Sequence, residues 1–252
     1  MISFSKVLIK KEFHELFFSV KGLFYFLVVS VILSLFSALL VTNTELSLLD
    51  NAQALYMISG IILALMMLIS SVYGSDAIAG ERERRTLETL LITPIGASEI
   101  ALSKLAFSSL LYFLLFLIGL PYFIAIGSSG QNVAVGLVYL FFIGWMLSII
   151  YTSIAIYISQ NVNSLKNSMM ITLAIVLISA TPLIISPAMR KAGLGKVMDY
   201  LNPFGDAVNT LDSVIIDSEP FSMQAVRMGI ILAYTVILVV IVAKSTKKEK
   251  VL

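Results

Sequence analysis

Residues 55–94 read LYMISGIILALMMLISSVYGSDAIAGERERRTLETLLITP. The first twenty, 55–74, hold no Asp, Glu, Lys, Arg or His. A helix of that length rises about 30 Å, the thickness of a bilayer's hydrocarbon. Five consecutive charges then follow at 81–85, in a chain of which only 13% is charged. Five further apolar runs of the same kind occupy 22–41, 105–126, 133–158, 168–187 and 223–243. Lipid cannot satisfy backbone N–H and C=O groups, and the alternation of a membrane β-barrel is absent, so these runs are expected to be helices. The 59% hydrophobic content over 252 residues agrees, since soluble domains hold roughly 45–50%.

The expectation is an all-α integral membrane protein, one domain over 1–252 with six transmembrane helices. The run at 22–41 is about 20 residues, longer than the core of a cleaved signal, and reads as a retained span. Ahead of it, Ile2, Ile9, Phe13, Leu16, Phe17 and Val20 share one side of a helical wheel, while Lys10, Lys11, His14, Glu15 and Lys21 cluster on the other. Segment 1–21 is therefore expected to lie in the membrane interface. Segment 188–222 is too long for a turn. Its Gly193, Gly195, Asn202-Pro203 and Gly205 break it, and Ala207, Val208, Leu211, Val214 and Ile215 follow at helical spacing, so two short helices are expected there.

Basic residues set the orientation. Six spans put both termini on one side, which then holds thirteen of the seventeen Lys and Arg: Lys6, Lys10, Lys11, Lys21, Arg82, Arg84, Arg85, Lys104, Lys166, Lys244, Lys247, Lys248 and Lys250. The positive-inside bias makes that side the cytoplasm and the protein a multi-pass component of the cell membrane. Arg227, one turn inside the last span, is expected to snorkel outward.

The chain shows no chemistry of its own. Its first five spans lack the ionisable group that ion-coupled carriers use. It has no cysteine, and its single histidine, His14, reads as a surface imidazole, so no metal site is expected. A phosphate-cradling loop needs Gly-x-x-x-x-Gly-Lys-Ser/Thr. The sole Gly-Lys, Gly195-Lys196, is followed by Val197 and has Arg190 in place of the first glycine. The net charge of +2 gives no reason to expect nucleic acid. The hydroxyls Ser30, Ser34, Ser37, Tyr56, Ser59, Tyr112, Thr152 and Ser153 read first as helix-packing residues and only second as a pathway lining. Pro121 and Pro182 are candidate kinks in the third and fifth spans.

What remains is the loop 75–104. A helix continued through it puts Glu81, Arg84, Arg85 and Glu88 on one face, with Glu81–Arg85 and Arg84–Glu88 as i,i+4 pairs. Leu87, Leu90 and Leu91 form a short apolar ridge, and Pro94 stops the helix. Acidic residues contribute little to topology, so a pure positive-inside anchor does not explain why Glu81, Glu83 and Glu88 interleave with the arginines. Mixed charge beside leucines suits a docking surface for a soluble partner.

"GERERRTLETLLITPI" (80–95) resembles the loop between spans two and three of the ABC type-2 permeases, where Glu-x-Glu-Arg-Gly-Thr-Leu-Glu-x-Leu-Leu-x-x-Pro recurs. Here Arg85 stands in place of the glycine, so continuous helix is expected where the pattern favours a tight turn. "YLNPFGDAVNTL" (200–211) also looks like the Asn-Pro region those permeases carry before the last span. The resemblance implies a non-enzymatic membrane subunit of an ATP-driven exporter. ATP and Mg would sit on two copies of a separate cytoplasmic ABC ATPase, and a second permease, identical or paralogous, would complete the pathway. Glu81, Arg82, Glu83, Arg84, Arg85, Thr86, Leu87, Glu88, Leu90, Leu91 and Pro94 would form the coupling helix. The substrate and its binding residues stay open. Other readings of the residues are an ATPase-coupled subunit for maturing an envelope factor, a membrane-embedded enzyme, and a scaffold.

Overall fold

The computed structural model describes residues 12–14, 17–42, 51–86, 97–128, 132–183 and 201–245. All regular structure among them is helical: α1 (Val20–Thr42), α2 (Asn51–Glu83), α3 (Ala97–Gly127), α4 (Val133–Asn161), α5 (Leu165–Ser179), a 3-10 turn (Thr181–Leu183), α6 (Pro203–Ile215) and α7 (Phe221–Ser245). Five of these, all but α5 and α6, are long and apolar enough to cross a membrane. The apolar run expected at 168–187 begins three residues earlier, at Leu165, but α5 is helical for only 15 residues. Pro182 accordingly lies in the 3-10 turn beyond α5 and kinks no span, whereas Pro121 does sit inside α3.

The bundle is built around α2. Its apolar window is 67% buried, against 17% for α1 and for α7. Leu23, Phe24 and Leu27 of α1 and Leu232, Val236 and Ile237 of α7 face outward, the placement a lipid solvent allows. The principal neighbour of α2 is α4. With lipid as apolar as leucine, helices associate through close backbone approach and hydroxyl bonds. A Cβ on Gly74 would stand 2.7 Å from Ala155 Cβ and 2.9 Å from the Thr152 carbonyl. Ser70 and Ser148 hydroxyls meet at 2.8 Å, and Thr152 donates to the Ser70 carbonyl at 3.3 Å. Tyr112 of α3 crosses Gly144 of α4 and donates to the Phe141 carbonyl at 2.7 Å. Ser34 bonds the Tyr122 hydroxyl, and Ser59 donates to the Tyr56 carbonyl. The Ser70, Thr152, Tyr112 and Ser34 bonds thus join neighbouring helices, whereas that of Ser59 stays within α2.

At one end of the bundle α6 is buried on nearly every side. Asn202 caps it by accepting from the Phe204 amide at 3.0 Å, with Pro203 in the first turn, where a missing N–H costs nothing. Asn202 also donates to the Ser179 carbonyl at 2.8 Å, so one side chain starts α6 and ties down the end of α5. Of the two short helices expected in 188–222, α6 is one; residues 184–200 lie outside the described set. Arg227 does not snorkel. It turns inward and donates to the Asn209 carbonyl (3.2 Å), Ser213 Oγ (3.1 Å) and Gln224 Oε1 (3.3 Å), which staples α7 to α6. The opposite end carries the charges 81–85, the last turn of α4 and the first turn of α3, and is called the charged end below.

Candidate functional site

Helix α2 stops at Glu83, and Arg85 takes φ 57°, the left-handed region. The Thr86 amide donates to the Glu81 carbonyl at 3.0 Å and the Arg85 amide to the Arg82 carbonyl at 3.1 Å. This pair of bonds is a Schellman cap, usually built on glycine because a side chain in that conformation costs about 1 kcal/mol or more. The expectation of continuous helix through Arg85 is therefore corrected. The arginine makes the tight turn itself, and the cap's two backbone bonds offset its strain. Thr86 Oγ1 adds a bond to the Glu81 carboxylate and one to the Glu81 carbonyl (3.2 Å).

The turn separates charges that the sequence presents as one knot. Glu81 points inward and is 6% exposed. Its carboxylate lies 3.5 Å from the ammonium of Lys104, which also bonds Glu12. Glu12 in turn accepts from the Tyr73 hydroxyl at 3.2 Å. All three charged groups are buried, and together they join the N-terminal segment, α2 and α3. Two carboxylates sharing one ammonium out of water are costly unless every partner stays; removing one partner of such a pair costs about 3–5 kcal/mol.

Arg82 is also engaged. Its guanidinium donates to the Val162 carbonyl at 2.9 Å and the Gln160 carbonyl at 3.3 Å, capping the end of α4 where the helix dipole favours a cation. Arg84 folds back along α2 to Asp76, at 2.9 and 3.1 Å from its two carboxylate oxygens. Gly80 lies between them; a Cβ there would stand 1.9 Å from Asp76 Oδ1. Glu81 thus pairs with Lys104 instead of the expected Arg85, and Arg84 with Asp76; the expected pair Arg84–Glu88 falls on a residue outside the described set. Glu83, Arg84, Arg85 and Thr86 face outward. Leu87, Glu88, Leu90, Leu91 and Pro94 lie outside the described residues.

Sequence reasoning missed Glu12 and read Lys104 only as a mark of topology. No local signal marked either one, because their partners lie far away in the sequence: Lys104 is 92 positions from Glu12 and 23 from Glu81. Beside Asp76, Val20, Phe24, Tyr25, Val72 and Met169 bound an apolar crevice of about 340 Å³ between α1, α2 and α5. Among the described residues no group of three or more His, Cys, Asp or Glu is placed to hold a metal ion. His14 stacks on Phe18 at 4.6 Å.

A comparison with curated proteins finds no match. Residues 6–251, nearly the whole chain, match the family described as ABC-2 family transporter protein. The apolar helices and this match together establish that the chain is a multi-pass membrane protein belonging to the ABC-2 transporter family.

Proposed function

We propose that the chain is the permease subunit of an ABC exporter with six spans, both termini in the cytoplasm, and a loop that docks a separate ATPase. Two permeases, identical or paralogous, form the pathway in the cell membrane. Two ATPase subunits bind ATP and Mg, ATP drives their closure, and each loop carries that motion into its bundle as a lever. This chain contributes no catalytic group.

The division of charge at 81–86 carries the reading. Glu81 and Arg82 are spent on internal partners, and the Schellman turn holds Glu83, Arg84 and Arg85 outward on a helix end fixed to α3 and α4. A surface loop with no partner needs no such anchoring. A lever does, because a compliant attachment would absorb the displacement it has to transmit.

The test is co-expression of the tagged permease with ABC ATPase subunits of the same organism, followed by capture from detergent. The native chain retains the ATPase. Glu83→Ala/Arg84→Ala/Arg85→Ala loses most of it, because charge complementarity at a rim sets the encounter rate and register. Equal capture by the triple variant would remove this surface from the interface.

A further inference from the structure

A regular α-helix joins the carbonyl of residue 75 directly to the amide of residue 79. In α2 a side chain from another helix stands between them. Ser159 Oγ of α4 accepts from the Ala79 amide at 2.7 Å and from the Ile78 amide at 3.2 Å, and donates to the Ser75 carbonyl at 2.9 Å. Ser168 of α5 donates to the same carbonyl at 3.2 Å. Ser75, Ser159 and Ser168 are fully buried, so no water competes for these bonds. Insertion of a hydroxyl into the ladder is one of the few causes of a local bend in a helix.

The apolar core divides at the same level. The main core reaches Ile69 on α2, Phe107 on α3 and Tyr151 on α4. A separate small cluster begins beyond it with Ala77, Ile78, Leu105, Ile156 and Val242. The layer between them is hydroxyl-rich, with Ser70, Ser71, Ser75 and Thr152, and Ser159 stands beside the second cluster at Ile78. On the main-core side Gly74 clamps α2 against Thr152 and Ala155. On the far side, the polar contacts of α2 with α4 fall in the last turn of α4, at Ser159, Gln160 and Val162.

We propose that the Ser159 hydroxyl, inserted between the Ser75 carbonyl and the Ile78 and Ala79 amides, is a joint about which residues 76–86 of α2, together with the ends of α3 and α4 bonded to them, turn against the main apolar core. A hydroxyl can trade its two amide donors and its carbonyl acceptor as the angle changes, whereas a direct backbone bond fixes the angle. Ser159 is a positioning residue: it touches neither nucleotide nor cargo and sets how far the charged end can turn. The inference rests on the lever reading above and places the lever's fulcrum.

Amide hydrogen exchange resolved by peptide tests it in two arms. In the first, the native permease bound to its ATPase is compared without nucleotide and after trapping with ATP and vanadate. Exchange over 76–83 is expected to change by about fivefold or more, the factor that 1 kcal/mol gives, while 61–74 stays constant. Equal exchange in both states, with the ATPase bound and hydrolysing, overturns the joint. In the second arm the permease alone is compared with Ser159→Ala. A joint predicts slower exchange over 76–83 in the variant, because the Ser75–Ala79 ladder closes directly. A mere brace predicts faster exchange, and that result also overturns the proposal. Ser159→Thr, which keeps the hydroxyl, is expected to restore the native rate. If Ser159→Ala does not fold, the first arm decides alone; if no ATPase is captured, the docking reading fails while the second arm still judges the joint.

Discussion

Among the described residues, two helix ends turn on a non-glycine residue with left-handed backbone, Arg85 after α2 (φ 57°) and Ser218 after α6 (φ 55°). The same conformation serves opposite ends of the bundle in different ways. Around Ser218 the partners are neutral. Asn132 donates to Ser218 Oγ at 2.7 Å and to the Ile215 carbonyl at 3.1 Å, and the nearby cation, Arg227, is used on a carbonyl, a hydroxyl and an amide oxygen. That corner is knitted inward. Around Arg85, Glu81 is buried in an ion pair, half-buried Arg82 sits on a helix end, and three charges face outward. In an apolar chain, a charge turned inward holds helices together, while a charge turned outward on a fixed corner is available to a partner.

The largest way to break the comparison is at the two cations. Lys104→Met leaves Glu12 and Glu81 buried without their ammonium and is expected to cost about 3–5 kcal/mol. Arg227→Met removes a cation whose partners are neutral and is expected to cost about 1–3 kcal/mol. Thermal unfolding in detergent ranks the two, and a larger loss for Arg227→Met would reverse the assignment of the ionic end. Adding Glu12→Gln and Glu81→Gln to Lys104→Met is expected to recover much of the loss, since a buried group without charge needs no counter-ion.

A smaller effect sharpens the comparison at the corners themselves. Arg85→Gly relieves the left-handed strain and gives up no bond of the cap, so it is expected to stabilise by about 1 kcal/mol. Ser218→Gly relieves similar strain but forfeits the bond from Asn132, and is expected to come out near neutral. The smallest effect belongs to Gly80→Ala. The added methyl displaces the Asp76 carboxylate and parts it from Arg84, a half-exposed pair worth at most about 1 kcal/mol. The gain in helix propensity is about equal, so the midpoint hardly moves while Arg84 is freed. Loss of more than about 2 kcal/mol would mean that this pair is a structural bond.

Much of this was legible in the sequence. The apolar runs announce the helices, since a bilayer sets their length, whereas Asn202-Pro203, read as a break, proves to cap the start of α6. The interior of the charged end was not legible, because its bonds are not local. Lys104 and Glu12 are 92 positions apart, and Arg82 reaches Val162 across 80. The turn at Arg85 was missed because propensity disfavours arginine there, while the backbone bonds of the cap outweigh that local penalty. Ser159 was invisible for a different reason: a serine in an apolar helix reads as a packing residue, and only the structure shows whose backbone its hydroxyl meets.

The claim that outward charges serve a partner while inward charges serve the fold is tested most directly by reversing the outward pair alone. Arg84→Glu/Arg85→Glu is measured for ATPase capture and thermal midpoint in the same preparation. The account predicts capture reduced about tenfold or more, the equivalent of ~1.4 kcal/mol, with a midpoint shift of only a few degrees. Undiminished capture, or a midpoint that falls as far as that of Lys104→Met, would contradict it.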